Sequence, residues 1–158
     1  MGLTMLILAS FPDKIGRKPF LVNGLLVVFV GAILSAFSWD FWSFLGFRII
    51  LAIGLGMTIM TFGSFSTEFS VTKYRGLSFV LIATFFTVGE LIVLFISFFY
   101  LESLSSGNWR ALLFWASVPV LISYIFAQIL TKESPRFLLL KGRNEESFKV
   151  IDEMLKDN

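Results

Sequence analysis

One carboxylate, Glu90, stands alone in a stretch from Gly76 to Leu101 that carries no other charge. An ionised acid among apolar residues costs several kcal/mol unless it is paired, hydrated or protonated. Two chemistries fit it: contact with a substrate cation or exchange of a proton, or a structural acid held neutral between helices. On a helix Glu90 shares a stripe with Gly76, Ala83, Thr87, Leu94 and Ser97, smaller and more polar than the Phe-rich opposite faces. Thr87, one turn away, offers a hydroxyl. Arg48 is also set a little way inside an apolar run, although its long stem can snorkel to the interface. Glu90, Thr87 and Arg48 are the candidates for substrate or proton coupling.

Other charges fall in three clusters. Asp13-Lys14-Ile15-Gly16-Arg17-Lys18-Pro19 reads as a tight, Gly-containing turn; Glu68 precedes Arg75 across a short connection; Glu133 and Arg136 bracket Ser134-Pro135, where Pro135 is expected to end a helix. Such charges are either solvated or joined in a network that breaks when helices separate, and spacing leaves both open. With no Cys and no His, the chain has no disulfide, thiolate nucleophile, Cys/His metal site or imidazole relay. No metal or cofactor is expected, and with no nucleophile–base pair visible, neither is an enzyme.

The elements that hold these residues follow from composition. Of 158 residues, 56% are apolar and only 15% charged, against about 25% charged in soluble domains, and the mean hydropathy is +0.84. Charges are bunched, leaving spans at 20–38, 45–66, 77–101 and 111–131, each near the ~20 residues that cross a bilayer as a helix. Alternation is absent, which argues against a barrel. The lipid bilayer is thus the first partner, and a soluble globular domain, a nucleic-acid binder and a coiled coil are excluded. Met1 to Ser10 supplies only half a crossing. It lacks the basic start and small-x-small end of a signal peptide, and reads as the tail of a span that begins elsewhere. Gly24, Gly31 and Ser35 in the first span, and Ala52, Gly54 and Gly56 in the second, are spaced to let helix backbones approach closely.

Orientation follows from Lys and Arg near span ends. Lys14, Arg17, Lys18, Lys73, Arg75, Lys132, Arg136, Lys141, Arg143, Lys149 and Lys156, eleven of the thirteen basic residues, fall on one side. Trp39, Trp42, Tyr100 and Trp109 mark the other, as interfacial aromatics do. Loop 11–19 and the C-terminus are therefore expected in the cytoplasm. This topology also accounts for the net charge of +2 without a polyanionic partner. After the fourth span, Asn144 can cap a helix opening with Glu145 and Glu146, with Phe148, Ile151 and Leu155 on one face. That helix either lies on the membrane or its own protein, or links to another domain.

Taken in order, the charged clusters resemble the major facilitator superfamily of secondary transporters. Asp13-Lys14-Ile15-Gly16-Arg17-Lys18-Pro19 is similar to the family's loop between its second and third helices, with Ala9 in place of an upstream Gly. Arg48 followed by Gly54 and Gly56 resembles the fourth-helix motif, with Ala52 where the first Gly would stand. Glu68 and Arg75-Gly76 resemble the end of that helix, with Val71 for the usual Pro. Asn108-Trp109-Arg110, Pro119 and Glu133-Ser134-Pro135-Arg136-Phe137-Leu138 resemble the start and end of the sixth.

The resemblance implies an all-α membrane protein: part of a major facilitator six-helix lobe, with four full transmembrane helices, a half helix at the N-terminus and a cytoplasmic helix at the C-terminus. Residues 1–131 would be a partial N-terminal lobe and 132–158 a cytoplasmic linker. It implies a fragment of a secondary active transporter working by alternating access, whose partners are a small-molecule or ion substrate and the missing C-terminal lobe. Asp13, Gly16, Arg17, Lys18, Glu68, Arg75, Glu133 and Arg136 would be gating residues, pairing charges and capping helix ends in the outward-facing state. Ala83 stands where the sugar-porter branch carries a sugar-contacting Gln, which counts against a hexose porter, while Phe85-Phe86-Thr87-Val88-Gly89-Glu90 and Glu133-Ser134-Pro135-Arg136 resemble more the organic-ion and synaptic-vesicle-protein-like branches. The resemblance then implies an organic ion or small metabolite, moved by symport driven by an ion gradient or by uniport. The alternative is a truncated, non-transporting membrane protein that acts as an interaction or regulatory subunit.

Overall fold

The computed structural model describes residues 8, 11–69, 75–101 and 107–156, the side chains of 65–69, 75 and 153–156 excepted. Among the described residues seven helices follow in order: α1 (Phe11–Ile15), α2 (Arg17–Ala36), α3 (Phe41–Phe69), α4 (Arg75–Tyr100), α5 (Trp109–Leu130), α6 (Pro135–Leu140) and α7 (Asn144–Lys156). No strand occurs among the described residues. Helices α2 to α5 are long and apolar enough to cross a membrane. The half helix expected at residues 1–10 lies outside the described residues, apart from Leu8.

Between Asp13 and Pro19 the expected turn is mostly helix. Pro12 and Asp13 suit the first turn of α1, and a single residue, Gly16, breaks the run with φ of 111° before α2 begins. Pro19 is tolerated in the first turn of α2, where its missing N–H has no intrahelical partner anyway. The same logic corrects the reading of Pro135. The fourth span ends at Leu130, Thr131 is extended, and Pro135 opens α6 from its first position, capped by Ser134.

Helix α2 is the centre of the fold. It carries buried Phe20, Leu21, Val22, Val28 and Ala36, and packs on α3 along one side and α5 along another. The expected small-residue faces meet here. A Cβ added at Gly31 would lie 2.7 Å from the Leu51 backbone N, and one at Gly54 would lie 2.6 Å from that of Val28. Backbone therefore meets backbone, and no side chain fits between. Helix α4 stands apart, touching α3 and α5 sparingly, with none of its membrane-crossing window buried.

Beyond the spans, α6 buries Phe137 and Leu138, and Gly142 at φ of 74° turns the chain into α7. The amphipathic face of α7 is rotated from the one expected. Ser147 is fully buried and donates its hydroxyl to the Pro135 carbonyl at 3.0 Å, whereas Phe148 is exposed. Ser147 takes the inner position because its hydroxyl reaches the second lone pair of a carbonyl in the first turn of α6, which Phe148 could not use. Asn144 is already helical; the residue before it, Arg143, bonds across the first turn to Glu146, its Nε donating at 2.9 Å. Leu155 lies outside the described side chains.

Candidate functional site

At the basic end, one carboxylate joins two segments. Glu133 lies in the extended connection after α5, and its Oε1 accepts from the backbone N–H groups of Arg17 at 2.9 Å, Lys18 at 3.1 Å and Ser134 at 3.1 Å. Arg17 and Lys18 open α2, where N–H groups have no intrahelical acceptor and the helix dipole favours negative charge. The residue before them, Gly16, has no side chain with which to cap, so Glu133 caps α2 from 116 residues away. Gly16 is doubly required: a Cβ there would meet Glu133 Oε2 at 2.7 Å. Next to it, the Ser134 hydroxyl accepts from Phe137 N at 3.4 Å and starts α6.

The other gating candidates are placed less tightly. Asp13 Oδ1 approaches the Arg17 guanidinium at 3.5 Å, one turn away, with the two side chains 72% and 15% exposed. Such a pair is worth about 0–1 kcal/mol. Arg136 is exposed on α6, turned away from buried Phe137 and Leu138, and makes no ion pair or hydrogen bond among the described residues. The side chains of Glu68 and Arg75 lie outside the described residues.

Of the coupling candidates, Glu90 is exposed on α4 and has no hydrogen bond or ion pair among the described residues. The Thr87 hydroxyl donates to the Ala83 carbonyl at 3.1 Å within the helix. Ala83, Thr87 and Leu94 are exposed like Glu90, so the stripe is uncovered by the rest of the chain. No hydrogen bond or ion pair joins Arg48 to either residue among the described residues. Arg48 is half-buried with its guanidinium 4.8 Å from the Phe44 ring centroid.

That contact belongs to a row that sequence reasoning missed. Phe44 meets Trp109 edge to face at 5.9 Å, Arg110 lies over the Trp109 ring at 5.1 Å, and its guanidinium donates to the Ser38 carbonyl at 2.9 Å. Two arginines thus bracket an aromatic pair across α3 and α5. Beside the row, Ser38, Trp39, Asp40, Phe41, Phe44, Trp109 and Arg110 line a cavity of about 430 Å³. The available signal was the run of tryptophans at span ends, which reads equally as a membrane-interface belt.

The family model described as "Sugar (and other) transporter" matches residues 3–158. Among curated relatives, the D-xylose transporter of Levilactobacillus brevis is 31% identical across 95% of this chain, and organic cation/carnitine transporter 3 of Arabidopsis thaliana is 32% identical across 95%. The chain spans 32% and 28% of their respective lengths. In fold it is similar to the xylose transporter XylE from E. coli in its partially occluded inward-open conformation. There the TM-score is 0.79 at 21% identity, covering 96% of this chain and 42% of that one. Four apolar spans in this order, the family match along nearly the whole chain and the shared fold lead to one assignment: the chain belongs to the sugar (and other) transporter family, multi-pass membrane transporters of the major facilitator superfamily.

Proposed function

We propose that this chain acts as part of a secondary transporter that moves an organic ion or small metabolite by alternating access, together with a second lobe. The observation that carries the reading is Glu90, an acid with no hydrogen bond or ion pair among the described residues, on a helix that carries no other charge after its first residue, Arg75, and on a face that the rest of the described chain leaves uncovered. Among membrane helices such an acid serves a substrate or a proton. Glu90, with Thr87 beside it, is assigned to substrate-cation or proton coupling, and Arg48 to the same pathway nearer the opposite end. The relatives include sugar transporters as well as organic cation/carnitine and carcinine transporters; Ala83, where the sugar-porter branch carries a Gln, is what favours an organic ion over a sugar.

Asp13, Gly16, Arg17, Lys18, Glu68, Arg75, Glu133 and Arg136 form the proposed gate, on the cytoplasmic side by the count of basic residues. Residues 1–131 make up the membrane lobe and 132–158 the cytoplasmic linker. Glu133, capping the start of α2, is the fixed part of this gate and holds Arg17 and Lys18 in place, while exchange falls to the partly exposed charge pairs, worth about 0–1 kcal/mol each. The test is uptake of a panel of organic ions by the complete transporter carrying Glu90→Gln. Gln cannot titrate, so pH-dependent or cation uptake is abolished. Uptake unchanged across acidic and neutral pH refutes the assignment.

A further inference from the structure

A second cavity, of about 310 Å³, opens between α2 and α5 near the basic end, lined by Lys18, Pro19, Val22, Asn23, Tyr124 and Gln128. Its composition departs from its surroundings. Asn23 is the sole carboxamide between Pro19 and Trp39, and Gln128 and Tyr124 are the sole carboxamide and sole phenol between Ala111 and Leu130. Two separate spans thus bring these groups to one place, beside an ammonium. Among the described residues, none of these four side chains has a hydrogen bond or ion pair. Glu133, which accepts the Lys18 backbone N–H, has its carboxylate committed to the start of α2.

Depth and charge identify the occupant. Lys18 and Asn23 are the second and seventh residues of α2, and Gln128 and Tyr124 the third and seventh from the end of α5. All lie within about 10 Å of the helix ends, the level of lipid headgroups and ester linkages in a bilayer. Leu26 and Val30 continue the Val22–Asn23 line along α2 at helical spacing and are exposed, forming a track for an acyl chain. The lining holds one cation and no carboxylate, unlike the cavity at the opposite end, where Asp40 and Arg110 both contribute. A zwitterionic headgroup would find no carboxylate for its ammonium here, and would meet the Lys18 charge with a cation of its own.

We infer that this cavity binds an anionic phospholipid, with the Lys18 ammonium on the phosphodiester and the Tyr124 hydroxyl and Asn23 and Gln128 amides donating to phosphate and ester oxygens. The inference rests on the chain's being a membrane protein, not on the transport reading. It is tested by native mass spectrometry of the full chain released from nanodiscs of equal phosphatidylglycerol and phosphatidylcholine. Phosphatidylglycerol is retained about fivefold over phosphatidylcholine, the share of one lysine near a membrane surface. Lys18→Gln abolishes that preference. A paired Asn23→Leu and Gln128→Leu variant, with helicity unchanged by circular dichroism, loses retention of both lipids. No preference in the parent chain, or a preference that survives both variants, overturns the proposal. So does displacement of the lipid by inorganic phosphate alone, which would mark a site for the soluble ion.

Discussion

Replacing Glu133 with Ala removes the one acceptor shared by the N–H groups of Arg17, Lys18 and Ser134. Loss of a helix N-cap acceptor costs about 0.5–2 kcal/mol, and loss of a negative charge at a helix N-terminus about 0.3–1 kcal/mol more. A second half-buried N–H is orphaned as well, at about 1 kcal/mol, the low end of the range because water reaches it in part. The sum is about 2–4 kcal/mol, or roughly 30- to 700-fold in the opening equilibrium of the first turn of α2. Glu133→Gln keeps an oxygen in place and loses only the charge, so its cost falls to about 0.3–1 kcal/mol. Amide hydrogen exchange at Arg17 and Lys18, measured in detergent, reads this directly. Exchange at both amides accelerates strongly in the Ala variant and slightly in the Gln variant, with the middle of α2 unchanged. Protection in Glu133→Ala equal to that of the parent refutes the capping argument, and Gln as damaging as Ala refutes the division between hydrogen bonding and charge.

Other expectations concern packing, the Asp13 pair and orientation. Gly31→Ala and Gly54→Ala each place a methyl against backbone atoms of the facing helix. Each destabilises the chain by about 1–3 kcal/mol in reversible denaturation from mixed micelles, whereas Gly46→Ala, with open space at its Cβ, does not. Asp13→Ala changes stability by less than about 0.5 kcal/mol, since its pair with Arg17 is long and exposed; a larger loss in the same assay shows that the pair was undervalued. Because the chain lacks Cys, a single Cys at Lys141 or Asp40 reports topology through a membrane-impermeant thiol reagent. In intact cells the Asp40→Cys variant is labelled and the Lys141→Cys variant is protected; the reverse pattern overturns the proposed orientation.

The spans were legible because charge is excluded from bilayer depth, and this leaves gaps that composition alone exposes. Each spanning helix starts two to four residues before its gap implies. Arg17, Lys18 and Pro19 lie inside α2, and α3 begins four residues before the gap implied, because helices run on to their caps after the membrane ends. Pro135 shows the ambiguity of a single residue: the same missing N–H stops one helix or starts another, and only Ser134 ahead of it decides. The pairing of Glu133 with the first turn of α2 was hidden for a different reason. Its partners are backbone N–H groups, which every sequence position possesses, so no residue type marks the acceptor's destination. The row from Arg48 to Arg110 depends on the angle at which α3 and α5 meet, and side-chain spacing along one helix carries no record of that.

Helices α2 and α5 run antiparallel and are fastened to each other at both ends: Glu133, just past the end of α5, holds the start of α2, and Arg110, at the start of α5, holds Ser38 just beyond the end of α2. A slide of one helix along the other by a single turn, about 5.4 Å, would undo both fastenings at once. With α3 locked to α2 through glycine contacts that tolerate no added methyl, the three helices have no register to shift into and travel as one block. Among the four spans, freedom to rearrange is left to α4, the helix that carries Glu90. A spin label on α4 should therefore report distances to α2 that spread widely, while the distances between α2 and α5 stay narrow.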